Sequence, residues 1–89
     1  MELGIAGKTA LVCGASKGLG YGCAEALVKE GVNVVIVART AADLQAAAAR
    51  LQAVATQGAT VNYVVADITT EAGRAEVFAS HADFDIVVT

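Results

Sequence analysis

A glycine-rich turn between an apolar run and a helical pattern is the feature that most restricts how this chain can fold. The apolar run ends at Cys13, and Gly14, Gly18 and Gly20 follow it. Apolar residues then recur at helical spacing. A strand, a tight turn and a helix in this order aim backbone N–H groups at a phosphate, because glycine accepts a positive φ and has no Cβ. The segment therefore predicts an anion site where the first helix begins.

The glycine spacing alone does not identify the nucleotide. It reads Gly14-x-x-x-Gly18-x-Gly20, which differs from the strict Gly-x-Gly-x-x-Gly pattern. It also lacks the Gly-Lys-Ser/Thr ending of a P-loop, since Tyr21 follows the last glycine. A strand–helix turn that binds nothing remains an open alternative on this motif alone.

The rest of the chain alternates strand patterns with helical ones. The predicted strands are Thr9–Gly14, Asn33–Ala38, Thr60–Ala66 and Phe84–Thr89. The predicted helices are Leu19–Glu30, a second one through Thr56 opened by a Thr40–Asp43 capping box, and a third from Thr69 or Thr70 to about Ser80, with Val77 and Phe78 facing inward. Right-handed crossovers order the strands 3-2-1-4. The expected fold class is α/β, a partial Rossmann-type doubly wound parallel sheet in three layers, α/β/α.

Composition and charge argue against some classes of binding partner and favour one cellular compartment. The 89 residues are 56% apolar and 17% charged, which is typical of a chain with a buried core. A net charge of −3 argues against a nucleic-acid or anionic-membrane partner. The longest apolar run, Val34 to Ala38, is too short to span a membrane, and no signal-peptide pattern is visible, so we expect a cytoplasmic protein. Cys13 and Cys23 match no zinc or redox spacing and are expected to be buried, reduced thiols; no metal site is expected.

Taken together, these segments resemble the N-terminal part of the short-chain dehydrogenase/reductase family. The family's Thr-Gly-x-x-x-Gly-x-Gly motif stands here as Cys13 to Gly20, with cysteine in place of threonine. The family's aspartate and aliphatic pair after the third strand stands as Asp67 and Ile68. The resemblance covers essentially the whole chain.

The resemblance implies a site for a nicotinamide dinucleotide. Backbone from Ser16 to Leu19 would line the ribose and pyrophosphate, the Asp67 carboxylate would accept from the adenine amino group, and the Ile68 N–H would donate to the ring. A charge that merely favours the following helix is the alternative for Asp67. The expected cofactor-binding residues are Gly14, Ser16, Lys17, Gly18, Leu19, Gly20, Arg39, Thr40, Asp67 and Ile68.

The end of the second strand favours NADP(H) over NAD(H). An NAD site places a carboxylate there to bind the ribose 2′-hydroxyl, but this chain has Ala38 followed by Arg39. An arginine can grip a 2′-phosphate bidentately, and Lys17 in the glycine turn could reach the same group. In the resembling family, basic residues at these two places go with NADP. Solvated surface charges are the ordinary alternative for both.

No catalytic residue is expected within the chain. The family's catalytic tyrosine lies in Tyr-x-x-x-Lys, and neither Tyr21 nor Tyr63 is followed by lysine at that spacing. His81 is more simply a solvated loop residue, and Asp83 and Asp85 are expected to be solvated turn charges. The family's catalytic serine, tyrosine and lysine would come later than Thr89.

We therefore expect residues 1–89 to be the N-terminal part of a single NAD(P)-binding Rossmann domain, without its catalytic half. The parent would be an NADP(H)-dependent oxidoreductase and a homo-oligomer, dimer or tetramer, with no nucleic-acid or membrane partner. It would transfer hydride between nicotinamide and a carbonyl or secondary alcohol, such as a 3-oxoacyl thioester or similar ketone. One alternative is a non-catalytic module that binds a nucleotide or a partner. The other is a methyltransferase-type nucleotide fold, which normally wants an acidic residue near Ala38.

Overall fold

A computed structural model describes residues 6–14, 18–80 and 84–88 of the chain. Helices and strands alternate from end to end of these ranges. They are β1 (Thr9–Cys13), α1 (Gly18–Lys29), β2 (Asn33–Ala38), α2 (Ala41–Val54), β3 (Val61–Val65), α3 (Glu71–Ser80) and β4 (Ile86–Val88).

The strands form one parallel sheet with the order β3-β2-β1-β4. This confirms the predicted strand order and the Rossmann-type α/β class. The central strands β1 and β2 have neighbours on both sides, and their alternate side chains are buried on both faces of the sheet. A parallel strand that is covered on both faces has a continuous apolar sequence, and this pattern predicted both strands.

Two apolar clusters lie on opposite faces of the sheet and make the three layers. On one face, the side chains of Val12 and Ile36 pack with Val28 of α1 and Leu44 and Leu51 of α2. The second cluster, on the other face, includes Val77 of α3; its strand and β3-exit members are Leu11, Val35, Val37, Val64 and Ala66. The three-layer α/β/α arrangement is therefore confirmed.

The beginning of α2 differs from the predicted capping box. Thr40 is the N-cap residue, with φ −110° and ψ 113°, but its side chain makes no capping hydrogen bond. Asp43 lies in the first turn of α2, where its negative charge interacts favourably with the helix dipole. The capping hydrogen bond from Thr40 that the box requires is not formed. The helix ends at Val54 and not at Thr56, because Ala55 leaves helical geometry at ψ 142°.

The prediction that Phe78 faces inward is wrong. Val77 is 1% exposed, whereas Phe78 is 48% exposed. Consecutive helical residues point about 100° apart, so only one of the pair can face the sheet squarely. The ring of Phe78 instead meets Phe84 edge to face, with centroids 5.8 Å apart.

Several smaller expectations can be compared with the structure. Cys13 and Cys23 are free, as predicted, but both are partly exposed and not fully buried. Asp85 is exposed, as predicted, although its carboxylate also bonds to β1. His81 and Asp83 lie outside the described residues. Within the described ranges, no helix has both the length and the apolar character needed to cross a bilayer.

Candidate functional site

A pocket of about 430 Å³ lies where β1, β2 and β3 end. In open parallel sheets, the carboxyl ends of the strands are where ligands bind. The pocket collects residues from three separate connections of the chain. Its lining consists of Gly14, Val37, Ala38, Arg39, Thr40, Asp43, Ala66, Asp67, Ile68 and Thr69.

The glycine turn enters the pocket through Gly14. Gly14 has φ +67° and Gly18 has φ +68°, a conformation that residues with a side chain rarely adopt. The Gly14 amide donates to the Val37 carbonyl at 2.8 Å, so the turn leaves the sheet at a fixed point. Helix α1 begins at Gly18, and its first turn contains no acidic residue to offset the positive end of the helix dipole.

The other predicted residues of this turn are Ser16, Lys17, Leu19 and Gly20. Ser16 and Lys17 lie outside the described residues. Leu19 and Gly20 lie in the first turn of α1, and neither lines the pocket. The Leu19 side chain is 87% exposed, so any role of this residue in binding falls to its backbone.

The turn after β2 presents one cation, and the first turn of α2 adds an unexpected carboxylate. Ala38, Arg39 and Thr40 all line the pocket, and Arg39 is exposed. Asp43 lines it as well, from the first turn of α2. Sequence reasoning missed this role because it treated Asp43 only as a capping partner of Thr40. A signal was available in the position of Asp43, because the first turn of a helix that follows a parallel strand lies at the carboxyl end of the sheet, where ligands bind.

Asp67 lines the same pocket from the turn between β3 and α3. Its Oδ1 accepts from the Thr69 hydroxyl at 2.5 Å and from the Thr69 amide at 2.9 Å. These two hydrogen bonds lower the pKa of Asp67 against a smaller opposing effect of burial, and the positive charge of Arg39 lowers it further. The carboxylate is therefore ionised at neutral pH. Both hydrogen bonds from Thr69 are accepted by the same oxygen, Oδ1.

Ile68 supplies a donor beside that acceptor. Its carbonyl accepts from Nη1 of Arg74 at 3.0 Å, while its amide has no acceptor among the described residues. One edge of the pocket thus offers a carboxylate oxygen and a backbone N–H from adjacent residues. An adenine edge, with an amino donor next to a ring-nitrogen acceptor, is complementary to this pair.

A profile of the family described as short chain dehydrogenase matches residues 8–88. The chain belongs to the short-chain dehydrogenase family. Along 82 residues it is 38% identical to a 3-ketodihydrosphingosine reductase of Yarrowia lipolytica, covering 85% of this chain and 21% of that protein. Along 44 residues it is 54% identical to human L-xylulose reductase, covering 49% of this chain and 18% of that protein.

Solved structures of other short-chain dehydrogenases resemble this one closely. L-sorbose reductase from Gluconobacter frateurii, complexed with NADPH and L-sorbose, superposes with a TM-score of 0.84 at 36% identity, covering 98% of this chain and 34% of that one. The RhlG/NADP complex of Pseudomonas aeruginosa gives 0.83 at 34% identity, covering 97% and 33%. This chain therefore spans about a fifth of those curated relatives and about a third of those structures.

The described part of this short-chain dehydrogenase lines its pocket with groups suited to binding. Among those residues, no group of three or more His, Cys, Asp or Glu side chains is placed to hold a metal ion. Burial raises the pKa of the Cys13 thiol, which disfavours the thiolate that a nucleophile needs. The site, as far as it is described, consists of hydrogen-bonding and charged groups that can bind and orient a ligand.

Proposed function

We propose that this chain binds NADP(H) and is the cofactor-binding part of an oxidoreductase. The observation that carries the proposal is the end of β2, where Ala38 and Arg39 line the pocket and no carboxylate occupies the strand end. A ribose 2′-hydroxyl would find no acceptor from that position, whereas a 2′-phosphate would find an exposed guanidinium.

The remaining groups of the proposed site would contact the pyrophosphate, the 2′-phosphate and the adenine of the dinucleotide. Amides of the glycine turn, from Gly14 through Ser16 and Gly18 to Leu19 and Gly20, would hold the pyrophosphate at the start of α1. Lys17 would join Arg39 and Thr40 around the 2′-phosphate. Asp67 and Ile68 would take the adenine edge. The donor and acceptor types of the described members fit such a ligand.

The proposed chemistry is hydride transfer between nicotinamide and a carbonyl or secondary alcohol. The cofactor would donate hydride to the carbonyl or accept it from the alcohol, and the residues of this chain would bind and orient the cofactor. A proton donor for the carbonyl would have to come from outside residues 1–89, because no tyrosine here is followed by lysine at the family's spacing. We therefore propose that these residues form the N-terminal part of one Rossmann domain.

A ketone is the proposed substrate class, with a 3-oxoacyl thioester or similar ketone as the narrower choice. Supporting it, relatives along parts of this chain carry the names 3-ketodihydrosphingosine reductase and L-xylulose reductase. We further propose a homo-oligomer, dimer or tetramer, which sedimentation of the full-length protein would test.

Binding of NADPH and NADH to the full-length protein tests the cofactor assignment. We expect NADPH to bind at least about tenfold more tightly, and Arg39→Ala to remove most of that preference, since a charge-assisted contact contributes about 1.5–3 kcal/mol. Arg50→Ala is the matched control, because Arg50 lies on α2 with its guanidinium 4.6 Å from the Tyr21 ring and does not line the pocket. Equal affinities for the two dinucleotides in the unmodified protein would overturn the assignment.

A further inference from the structure

The turn from Asp67 to the first turn of α3 is closed by its own hydrogen bonds. The Asp67 carbonyl accepts from the Thr70 amide at 3.1 Å and from the Thr70 hydroxyl at 2.8 Å. The Thr70 hydroxyl in turn accepts from the Gly73 amide at 3.0 Å. The backbone that carries the Asp67 carboxylate is therefore bonded directly to the start of the helix.

Gly73 lets that helix come into contact with the turn. A Cβ added at Gly73 would lie 2.6 Å from the Asp67 carbonyl carbon and 2.9 Å from Thr70 Oγ1, and closer still to the Asp67 carbonyl oxygen. Real Cβ atoms essentially never approach other heavy atoms so closely. Gly73 is buried and helical, so the requirement here is space and not an unusual φ. Any side chain at this position must push Asp67 and α3 apart.

Thr69 controls the other degree of freedom of the same carboxylate. Its amide and hydroxyl both donate to Oδ1 of Asp67. Two donors on one oxygen fix the rotation of the carboxylate about its bond to Cβ. Because Thr69 itself lines the pocket, this restraint acts at the pocket wall.

We propose that Gly73 and Thr69 are positioning residues for recognition of the adenine edge. Gly73 sets how far Asp67 and Ile68 lie from the dinucleotide, and Thr69 sets which carboxylate oxygen faces the adenine amino group. This inference rests on the proposed function, since it assumes that Asp67 and Ile68 contact adenine. It adds the selectivity of that contact, which depends on residues that need not touch the ligand.

The test compares NADPH with its hypoxanthine analogue in the full-length protein. Hypoxanthine places a carbonyl oxygen where adenine has its amino group, so it turns a donor facing the Asp67 carboxylate into an acceptor. We expect the unmodified protein to prefer adenine by about tenfold or more, because leaving a polar group mismatched in a site costs about 1–3 kcal/mol. The ratio of the two affinities is unaffected by a uniform loss of folded protein.

Four variants separate positioning from stability. Gly73→Ala should reduce the adenine preference to about twofold or less, since even a small displacement lengthens both contacts beyond hydrogen-bond range. Thr69→Val should reduce it in part, and Thr69→Ser, which keeps the hydroxyl, should restore it. Gly22→Ala is the matched control, because a Cβ there meets nothing within 4 Å, and it should leave the preference unchanged.

Each outcome decides a separate point. An unchanged adenine preference in folded Gly73→Ala and in Thr69→Val would overturn the positioning role while leaving the adenine contact itself intact. If Gly73→Ala does not fold, Thr69→Val and Thr69→Ser decide alone, and equal ratios in those two variants overturn the proposal. A lack of preference in the unmodified protein would refute the contact of Asp67 and Ile68 with adenine, and this inference with it.

Discussion

The amide of Thr9 donates to Oδ2 of Asp85 at 2.9 Å, and the amide of Asp85 donates to the carbonyl of Thr9 at 2.8 Å. This reciprocal pair joins the first residue of β1 to the residue just before β4. Strand β4 is short, and among the described residues it pairs only with β1. The two bonds therefore help to set the register in which Ile86 meets Ala10.

We predict that Asp85→Ala lowers the free energy of unfolding by about 1 kcal/mol, since it removes one hydrogen bond to a backbone amide at the sheet edge. Asp85→Asn keeps an acceptor and should recover most of the loss. Urea unfolding of the full-length protein measures both. Glu25→Ala is the control, because its 3.7 Å pair with Lys29 is exposed and should matter by less than about 0.5 kcal/mol. A loss in Asp85→Ala no larger than in this control would contradict the prediction.

The carboxylate of Asp43 should weaken binding of a doubly charged 2′-phosphate. Asp43 shares the pocket wall with Arg39, so its negative charge partly offsets the attraction of the guanidinium. We predict that Asp43→Asn tightens NADPH binding about two- to fivefold at low salt, with a smaller change for NADH, and that added salt reduces the effect. Isothermal titration at two ionic strengths measures this.

Glu71→Gln provides the matched control for Asp43→Asn. Glu71 is also an exposed acid in the first turn of a helix, but it does not line the pocket. Removing its charge should change NADPH and NADH binding equally. Weaker NADPH binding by Asp43→Asn would show instead that this carboxylate accepts a hydrogen bond from the cofactor.

The pKa of Asp67 predicts how binding responds to acid. Thr69 and Arg39 hold that pKa below the ordinary carboxyl value in the folded protein. The contribution of the ionised Asp67 carboxylate to the stability of the fold is therefore complete above the unfolded-state pKa. It is lost as the pH falls through the lower folded-state pKa. We expect Asp67 to stay ionised between pH 7 and pH 5, so its contribution to adenine preference should not change in that range.

Carboxyl NMR titration of the full-length protein measures the Asp67 pKa directly. In Thr69→Val the pKa should rise toward its ordinary value, because the hydroxyl donor is the largest cause of the shift. Thr69→Ser, which keeps that donor, should leave the pKa low. A titration of unmodified Asp67 at or above the ordinary carboxyl pKa would refute the arrangement of donors described for its Oδ1.

Much of the fold could be predicted because local patterns and chain topology agree. The unbroken apolar run at Val34–Val37 could only be a buried strand or a buried helix, and its length and branched residues favoured the strand. The glycines at Gly14 and Gly18 indicated positive φ, which the structure confirms. Right-handed crossovers limited the possible strand orders, and the Rossmann-type pattern favoured 3-2-1-4 among them.

The parts that could not be predicted depend on contacts between segments. From the sequence, Gly73 reads as a weak point of α3, because glycine costs helix stability. In the structure, the Asp67 carbonyl occupies the space that a side chain at residue 73 would need. Helix propensity carries no information about this contact between segments. The direction of Phe78 was predicted wrongly for a similar reason, because its ring contacts Phe84, which lies beyond the end of the helix.

A structure of the full-length protein with NADPH bound tests the central claim most directly. We predict that the 2′-phosphate lies within about 3 Å of the Arg39 guanidinium, at charge-assisted hydrogen-bond distance. The adenine edge should meet the Asp67 carboxylate and the Ile68 amide, and the pyrophosphate should lie over the start of α1. A dinucleotide bound away from the carboxyl ends of β1, β2 and β3, or one whose 2′-phosphate does not contact Arg39, would contradict the account.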